Sequence, residues 1–391
     1  MMTSFIPAAR RYRPQKFSEV LDQPVTVRIL QNAVALNRIP NAILLSGQRG
    51  TGKTSLARLV AKAINCDDLK RQLDQKVSPE PCDQCFSCVN IRNGTDQEVL
   101  EIDAASHGGK EDAKEITKVA AQEPAVGKWR VVIIDECHML TKEAQNALLA
   151  LFETPPRSFL PVLCTTDFDK VLPTIVSRCM RLTVRPLGQI TIRSNLERIF
   201  TDANQPISES ALMALVRSSQ GSLRDIQQLA DQVIAAAGGI LVEDEFLEGV
   251  TGIPTLMAYR RVAGALITSW KEGPSLWFEE VEEFAKNGVD FHQMFFTVIH
   301  NLLRDLRIAV CSRGQPEAIV PYWSGIPHET FEQRCDLEHE DLDLMLQSWD
   351  DTSKDFYRAN TMSTRTNVEF WFLRAWDAKR VGITGRITRP M

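Results

Sequence analysis

This sequence has no excess of positive charge: 45 Lys and Arg stand against 50 Asp and Glu, for a net charge of −5. Without a global basic signature, any grip on nucleic acid must come from a local patch or from assembly with other chains. Long hydrophobic runs are missing too, since no apolar stretch approaches the roughly 20 residues of a membrane-spanning helix. Met1 to Pro7 has no basic region leading into an apolar core, so no secretory signal is read there. Nine cysteines, an odd number unevenly spread, argue against a secreted disulfide framework. The expectation is a soluble cytoplasmic protein with no membrane partner. Its 391 residues suffice for about two or three domains with cores of their own.

What the sequence does have is Ser46-Gly47-Gln48-Arg49-Gly50-Thr51-Gly52-Lys53-Thr54, which fits the phosphate-loop pattern G-x-x-x-x-G-K-[ST]. The apolar run Ala42 to Leu45 before it reads as a buried strand, and Ser55 to Ile64 repeats its apolar residues at helical spacing. Glycines let that loop turn tightly while its N–H groups and the helix N-terminus face a nucleotide's phosphates. Lys53 is placed to reach the β- and γ-phosphates, and Thr54 to bind Mg²⁺. Ahead of the loop, Arg10-Arg11-Tyr12-Arg13-Pro14-Gln15-Lys16-Phe17 is a basic, aromatic arm, either a solvated tail or a lid over the adenine base. A helix from about Val25 to Leu36 follows it.

Beyond the loop helix, Cys66, Cys82, Cys85 and Cys88 are spaced C-x₁₅-C-x₂-C-x₂-C. Four thiolates suit a tetrahedral Zn²⁺ site with no open position, hence a structural one. The charged stretch Asp67 to Pro81 between them reads as a surface loop. Val99 to Asp103 reads as a second strand. Ala104 to Lys110 then opens a helix whose N-terminus could meet a phosphate, or forms a plain turn at Gly108-Gly109. Nothing near His107 offers it a catalytic partner.

Val131-Val132-Ile133-Ile134-Asp135-Glu136 is an apolar strand ending in two acids. Asp135 would hold Mg²⁺ and Glu136 would polarise the attacking water. The tetrad Asp135-Glu136-Cys137-His138 also resembles a helicase signature. That reading needs a Ser-Ala-Thr coupling element, and the strand Pro161 to Asp167 supplies none. It ends instead in Thr165 and Thr166, placed to sense a γ-phosphate or hold the water. The helix Lys142 to Glu153 is capped by Thr141 and stopped by Pro155-Pro156.

Arg178, in Ser177-Arg178-Cys179 just before the strand Met180 to Val184, is poorly placed for its own nucleotide but could reach a neighbour's. A helical domain starts near Pro186-Leu187. In it, Ser219 to Asp225 leads into an amphipathic helix with Ile226, Leu229 and Val233 on one face. Arg224 is either a γ-phosphate sensor or a surface arginine paired with Asp225. From Glu243 onward the pattern is helical, with the stripe Phe291, Met294, Phe295, Val298 and Leu302 reading as core or packing surface and no catalytic constellation.

Taken in order, Arg13-Pro14, the loop Gly47 to Thr54, the four cysteines, Asp135 to Leu140, Thr165-Thr166-Asp167, Ser177-Arg178-Cys179 and Gly221 to Asp225 resemble the gamma/tau subunits of bacterial DNA polymerase III, clamp-loader members of the AAA+ ATPases. The resemblance is close over residues 8 to about 235 and looser beyond, where Asn367 to Phe370 and Leu373-Arg374-Ala375 echo the family's last helix. It implies an α/β P-loop AAA+ domain over 1–186 with a parallel sheet and a zinc module at about 66–88, a helical lid over 187–242, and an all-α oligomerisation domain over 243–391.

It further implies ATP, Mg²⁺ and Zn²⁺ as cofactors, and a ring with delta, delta-prime and further copies of the chain. That ring would load the beta sliding clamp onto primed DNA as part of the DNA polymerase holoenzyme. By the same resemblance Gly47, Gln48, Arg49, Gly50, Thr51, Gly52, Lys53 and Thr54 cradle the phosphates. Asp135 and Glu136 carry hydrolysis, Thr166 matches sensor 1, Arg178 the trans-acting finger, and Arg224 sensor 2. Cys66, Cys82, Cys85 and Cys88 match the zinc ligands.

There are three departures. Asp22 stands where the family usually has glycine, which bears on the adenine pocket. His107-Gly108-Gly109 replace DNA-touching residues, leaving Lys110 as the one fixed cation there and implying a weaker, less salt-sensitive grip on DNA. The chain ends near the third domain, resembling the short gamma form, so the tau form's contacts to helicase and polymerase would be missing or held by other chains. Two rival readings are a helicase or branch-migration ATPase, and a non-hydrolysing delta-prime-like scaffold. The intact phosphate loop speaks against the scaffold.

Overall fold

The fold comes from a computed structural model that describes residues 5–75, 79–125, 128–253, 255–286, 298–311, 339–358 and 364–381. Its chain divides into two compact units, residues 1–195 with 219–228, and residues 196–218 with 229–391.

In the first unit, β1 (Ile43–Ser46), β2 (Val99–Asp103), β3 (Arg130–Asp135), β4 (Phe159–Thr165) and β5 (Met180–Thr183) form one sheet in the order β2-β3-β4-β1-β5. Every pairing is parallel. The inner strands are apolar on both sides because both faces are covered. Ile43, Leu45, Val131, Ile133 and Val162 pack with Leu30 of helix α2 (Pro24–Ala35) and with Leu56, Leu59 and Val60 of helix α3 (Lys53–Asn65). Leu44, Val132, Ile134 and Leu163 pack with Ile116 of Lys110–Ala120 and with Leu148 and Phe152 of Lys142–Glu153. This helical pair, the partners on the opposite face, completes a three-layer α/β unit. Thr141 caps Lys142–Glu153 by accepting from the Ala144 N–H at 3.2 Å, and Pro155-Pro156 follow its end.

One sequence expectation changes here, and one left open is resolved. The stretch read as a surface loop contains a short helix, Leu69–Asp74. Leu69 packs against the core beneath the sheet, and Gln72 exchanges two hydrogen bonds of 2.8 Å with the Glu80 backbone. The second concerns residues 104–110, where a plain turn forms. The Gly109 N–H donates to Asp112 Oδ2 at 2.8 Å, so the helix N-terminus is closed by its own acid. A Cβ on Gly108 would stand 2.5 Å from the Ala104 carbonyl oxygen, so only glycine fits that crossing.

The second unit is helical. Asp244–Thr251, Leu256–Glu272, Ser275–Lys286, His300–Cys311, His339–Arg358 and Thr364–Val381 follow one another, and most of them share a core containing Leu266, Trp270, Trp277, Leu303, Met345, Trp371 and Phe372. Trp277 stacks on Phe372 at 5.1 Å, and the Trp371 indole donates to the Met345 carbonyl at 3.1 Å. Of the predicted stripe, Val298 and Leu302 are buried in this core; Phe291, Met294 and Phe295 lie outside the described residues. Val368 and Ala375 are buried in the last helix, Leu373 is half-buried and Arg374 exposed. No described helix is long and apolar enough to cross a membrane.

Candidate nucleotide site and cysteine cluster

The phosphate loop leaves β1 at its carboxyl end, between β4 and β5. In open parallel sheets that edge is where ligands bind. Thr51 Oγ1 closes the loop on the Gln48 carbonyl at 2.8 Å, and the Gly47 N–H donates to the Thr165 carbonyl at 3.2 Å. Gly50 has φ +76°, and a side chain there would collide with the Ser222 hydroxyl. Lys53 is buried, with Nζ donating to the Gly47 and Gln48 carbonyls at 2.9 and 3.0 Å. Burial lowers its pKa, against the opposing pull of Glu136, Cys164 and Asp135.

Asp135 closes on this loop, and Glu136 on the end of β4 beside it. Thr54 Oγ1 donates to Asp135 Oδ2 at 2.7 Å, so a hydroxyl and a carboxylate converge where a divalent cation would need oxygens. Glu136, at φ +47°, accepts from the Thr166 N–H and hydroxyl at 3.2 and 2.8 Å. His138 Nδ1 lies 3.3 Å from the same carboxylate oxygen and 3.1 Å from Thr165 Oγ1. The Thr165 hydroxyl turns its own proton toward the Asp167 carbonyl at 2.9 Å, which leaves Nδ1–H as the donor. His138 was legible as part of the acidic tetrad, but its hold on Glu136 was not.

Arg224 is exposed, and its N–H lies 3.4 Å from the Gly50 carbonyl, with the Leu223 N–H at 3.1 Å. Asp225 accepts from Ser222 Oγ at 2.7 Å. Arg13 lies in electrostatic contact with Arg58, Arg224 and Arg10. Burial first, then these cations, lower its pKa, and Glu101 opposes them. Arg58 is itself held bidentately by Glu101 at 2.6 and 2.9 Å.

Arg178 is not among this group. It pairs with Glu153 at the end of Lys142–Glu153 and donates to the Thr174 carbonyl at 2.6 Å. It precedes β5, whose first residue Met180 pairs with Ile43 at the start of β1, whereas the phosphate loop leaves the other end. At ~3.3 Å per residue, the strand alone separates the two by roughly 10 Å. Asp22, at φ +55°, accepts from the Gly188 N–H and the Thr191 hydroxyl, both at 2.8 Å. A glycine would take that backbone conformation easily but could not make these two bonds.

Cys66, Cys82, Cys85 and Cys88 bring their sulfurs within 4.8 Å of one another. A tetrahedron with Zn–S near ~2.3 Å requires sulfurs about 3.8 Å apart, so the cluster fits after a small contraction. Backbone N–H groups of Cys82, Cys85 and Cys88 point at the sulfurs of Cys66, Cys82 and Cys85 at 3.4, 3.3 and 3.5 Å, an arrangement that favours thiolates. The Cys66 and Cys88 side chains are hydrogen-bond partners, which lowers the Cys66 pKa and raises that of Cys88.

The family model described as DNA polymerase III, delta subunit, matches residues 22–188, and that for the DNA polymerase III clamp loader subunit, ATPase lid domain, matches residues 191–239. The tau/gamma subunit of DNA polymerase III from Haemophilus influenzae is 40% identical over 232 residues, 59% of this chain and 33% of that protein. Residues 22–239 thus resemble DNA polymerase III subunits, with residues 191–239 resembling a clamp-loader ATPase lid domain. The gamma subunit of DNA polymerase III from Buchnera aphidicola is 36% identical over 60% of this chain and 62% of its own length. The gamma/tau subunit of Mycobacterium bovis is 37% identical over 79% of this chain and 53% of its own length. This chain thus spans between a third and three fifths of the length of these relatives. A Thermotoga maritima structure titled RuvB Holliday junction branch migration motor is 16% identical at a TM-score of 0.43, covering 71% of this chain and 86% of its own, too loose a likeness to carry an argument.

Proposed function

We propose that this chain is the ATP-hydrolysing motor subunit of a clamp loader, acting with delta, delta-prime and further copies of itself to place a sliding clamp on primed DNA. The observation that carries the reading is the convergence of Lys53, Thr54, Asp135, Glu136 and Thr166 at the carboxyl edge of the sheet. A scaffold subunit has no need of that complete set. Gly47 to Thr54 would cradle the triphosphate of ATP, with Lys53 turning from the loop carbonyls to the β- and γ-phosphates. Thr54 and Asp135 would hold Mg²⁺, which supplies charge neutralisation on the phosphate oxygens.

Glu136 takes a proton from the attacking water, and Thr166 and His138 set the direction of its carboxylate. Arg224, against Gly50, reports on the γ-phosphate to the helix it begins. Arg178, remote from its own loop, is the finger offered to a neighbour's nucleotide. Cys66, Cys82, Cys85 and Cys88 would hold structural Zn²⁺. With Lys110, the first residue of the helix Lys110–Ala120, as the fixed cation at this turn, direct DNA contact is light and the assembled ring supplies the rest.

Steady-state ATP hydrolysis by the chain mixed with its delta and delta-prime subunits, with and without clamp and primed DNA, tests this reading. Hydrolysis should rise only with clamp and primed DNA together. Arg178→Ala should lose most of that rise, an arginine finger being worth ~10³–10⁵ in rate, while ATP binding persists. Full stimulation by DNA alone would favour the helicase-like alternative.

A further inference from the structure

The cysteine cluster is tied to the nucleotide site by a buried lysine. Lys62 lies in the last turn of α3, the helix that begins at Lys53. Its side chain is 2% exposed, and Nζ donates to Asp83 Oδ1 at 2.7 Å, Gln15 Oε1 at 3.0 Å and the Gln15 carbonyl at 3.1 Å. Asp83 sits between Cys82 and Cys85 at φ +57°, and its other oxygen pairs with Arg92 at 3.0 Å. The Gln15 amide in turn donates to the Arg13 carbonyl at 2.9 Å.

A second tie runs parallel to the first. The Glu80 carboxylate, two residues before Cys82, accepts from the Phe17 and Ser18 N–H groups at 2.7 and 3.0 Å and from the Gln31 amide at 3.1 Å. The arm is therefore held at Gln15 and at Phe17-Ser18. Arg13 is in the same electrostatic neighbourhood as Arg58, one turn beyond Thr54, and Arg224, whose N–H lies 3.4 Å from the Gly50 carbonyl. Three guanidinium groups with Glu101 to offset them suit a polyanion.

We propose that the metal-holding hairpin positions Arg13 at the nucleotide through Lys62 and Gln15, so that metal in the cysteine cluster and nucleotide at the phosphate loop bind cooperatively. Lys62, Gln15 and Glu80 are positioning residues, and the hairpin serves nucleotide affinity as well as folding. Coupling of this kind is reciprocal: whatever factor zinc adds to nucleotide affinity, nucleotide must add to zinc affinity. This inference rests on the zinc and ATP assignments above.

The test uses the full chain. Zinc affinity is measured by competition with a chromogenic chelator with and without ATP, and the ATP dissociation constant is measured with and without zinc. Each affinity should improve about fivefold or more when the other ligand is bound. The dependence should weaken in Gln15→Ala, which loses the Oε1 bond to Lys62 and keeps the carbonyl bond, and weaken further in Lys62→Met where that variant folds. Stoichiometric zinc whose affinity ignores ATP, or coupling undiminished in both variants, overturns the proposal and leaves the ATPase reading standing. A chain that binds ATP and no zinc overturns both the metal assignment and the coupling. A chain that binds zinc and no ATP overturns the motor reading.

Discussion

Glu136 illustrates how a single side chain is prepared for its role. Its backbone adopts φ +47°, a left-handed conformation that costs a non-glycine residue free energy and recurs at functional sites. Its carboxylate is then fixed by Thr166 at 2.8 Å and faced by His138 at 3.3 Å. Glu136→Gln keeps the size and most contacts but cannot take a proton, so hydrolysis should fall by ~10²–10⁴ while ATP affinity stays within a few fold. Stopped-flow hydrolysis beside nucleotide-binding titration separates the two effects; an equal loss in both would assign Glu136 to binding instead. At this scale Lys53, Thr54, Asp135 and Glu136 were legible because phosphate chemistry demands those residue types at that spacing. Lys62 was not legible. It reads as one more helix lysine until Asp83 and Gln15, distant in sequence, close on it.

The elements carry their own tests. Thr141 caps Lys142–Glu153 through one hydrogen bond to Ala144, so Thr141→Ala should cost about 1 kcal/mol. Gly108→Ala should cost about 1–3 kcal/mol, because its new methyl would stand 2.5 Å from the Ala104 carbonyl and 2.9 Å from that of Met139. Urea unfolding of both variants beside the parent measures the order; a Gly108→Ala protein as stable as the parent would contradict the crossing described here. The strands and the helix Lys142–Glu153 were readable from the sequence because unbroken apolar runs and a Thr cap followed by Pro-Pro are local signals. The helix Leu69–Asp74 was missed because its charged residues mask Leu69, whose burial depends on a sheet far along the chain.

For the molecule as a whole, the parallel sheet and phosphate loop were visible in the order of motifs, and the helical second unit in its apolar spacing. The sequence could not say how the cysteine hairpin meets the rest, since that contact runs through Glu80 and Asp83 to residues 15–18 and 62. The hairpin should carry close to one zinc per chain by elemental analysis. Removing the metal should lower the melting temperature, because binding free energy at a structural site is folding free energy. Zinc-free protein with unchanged melting would contradict that role.

The central claim is that this chain drives clamp loading, and transfer of the clamp onto primed circular DNA tests it most directly. With ATP and the partner subunits present, labelled clamp should co-elute with the DNA circles, and should fail to do so when Glu136→Gln replaces the parent chain. Clamp retained equally with the variant, or never retained with the parent, would contradict the account.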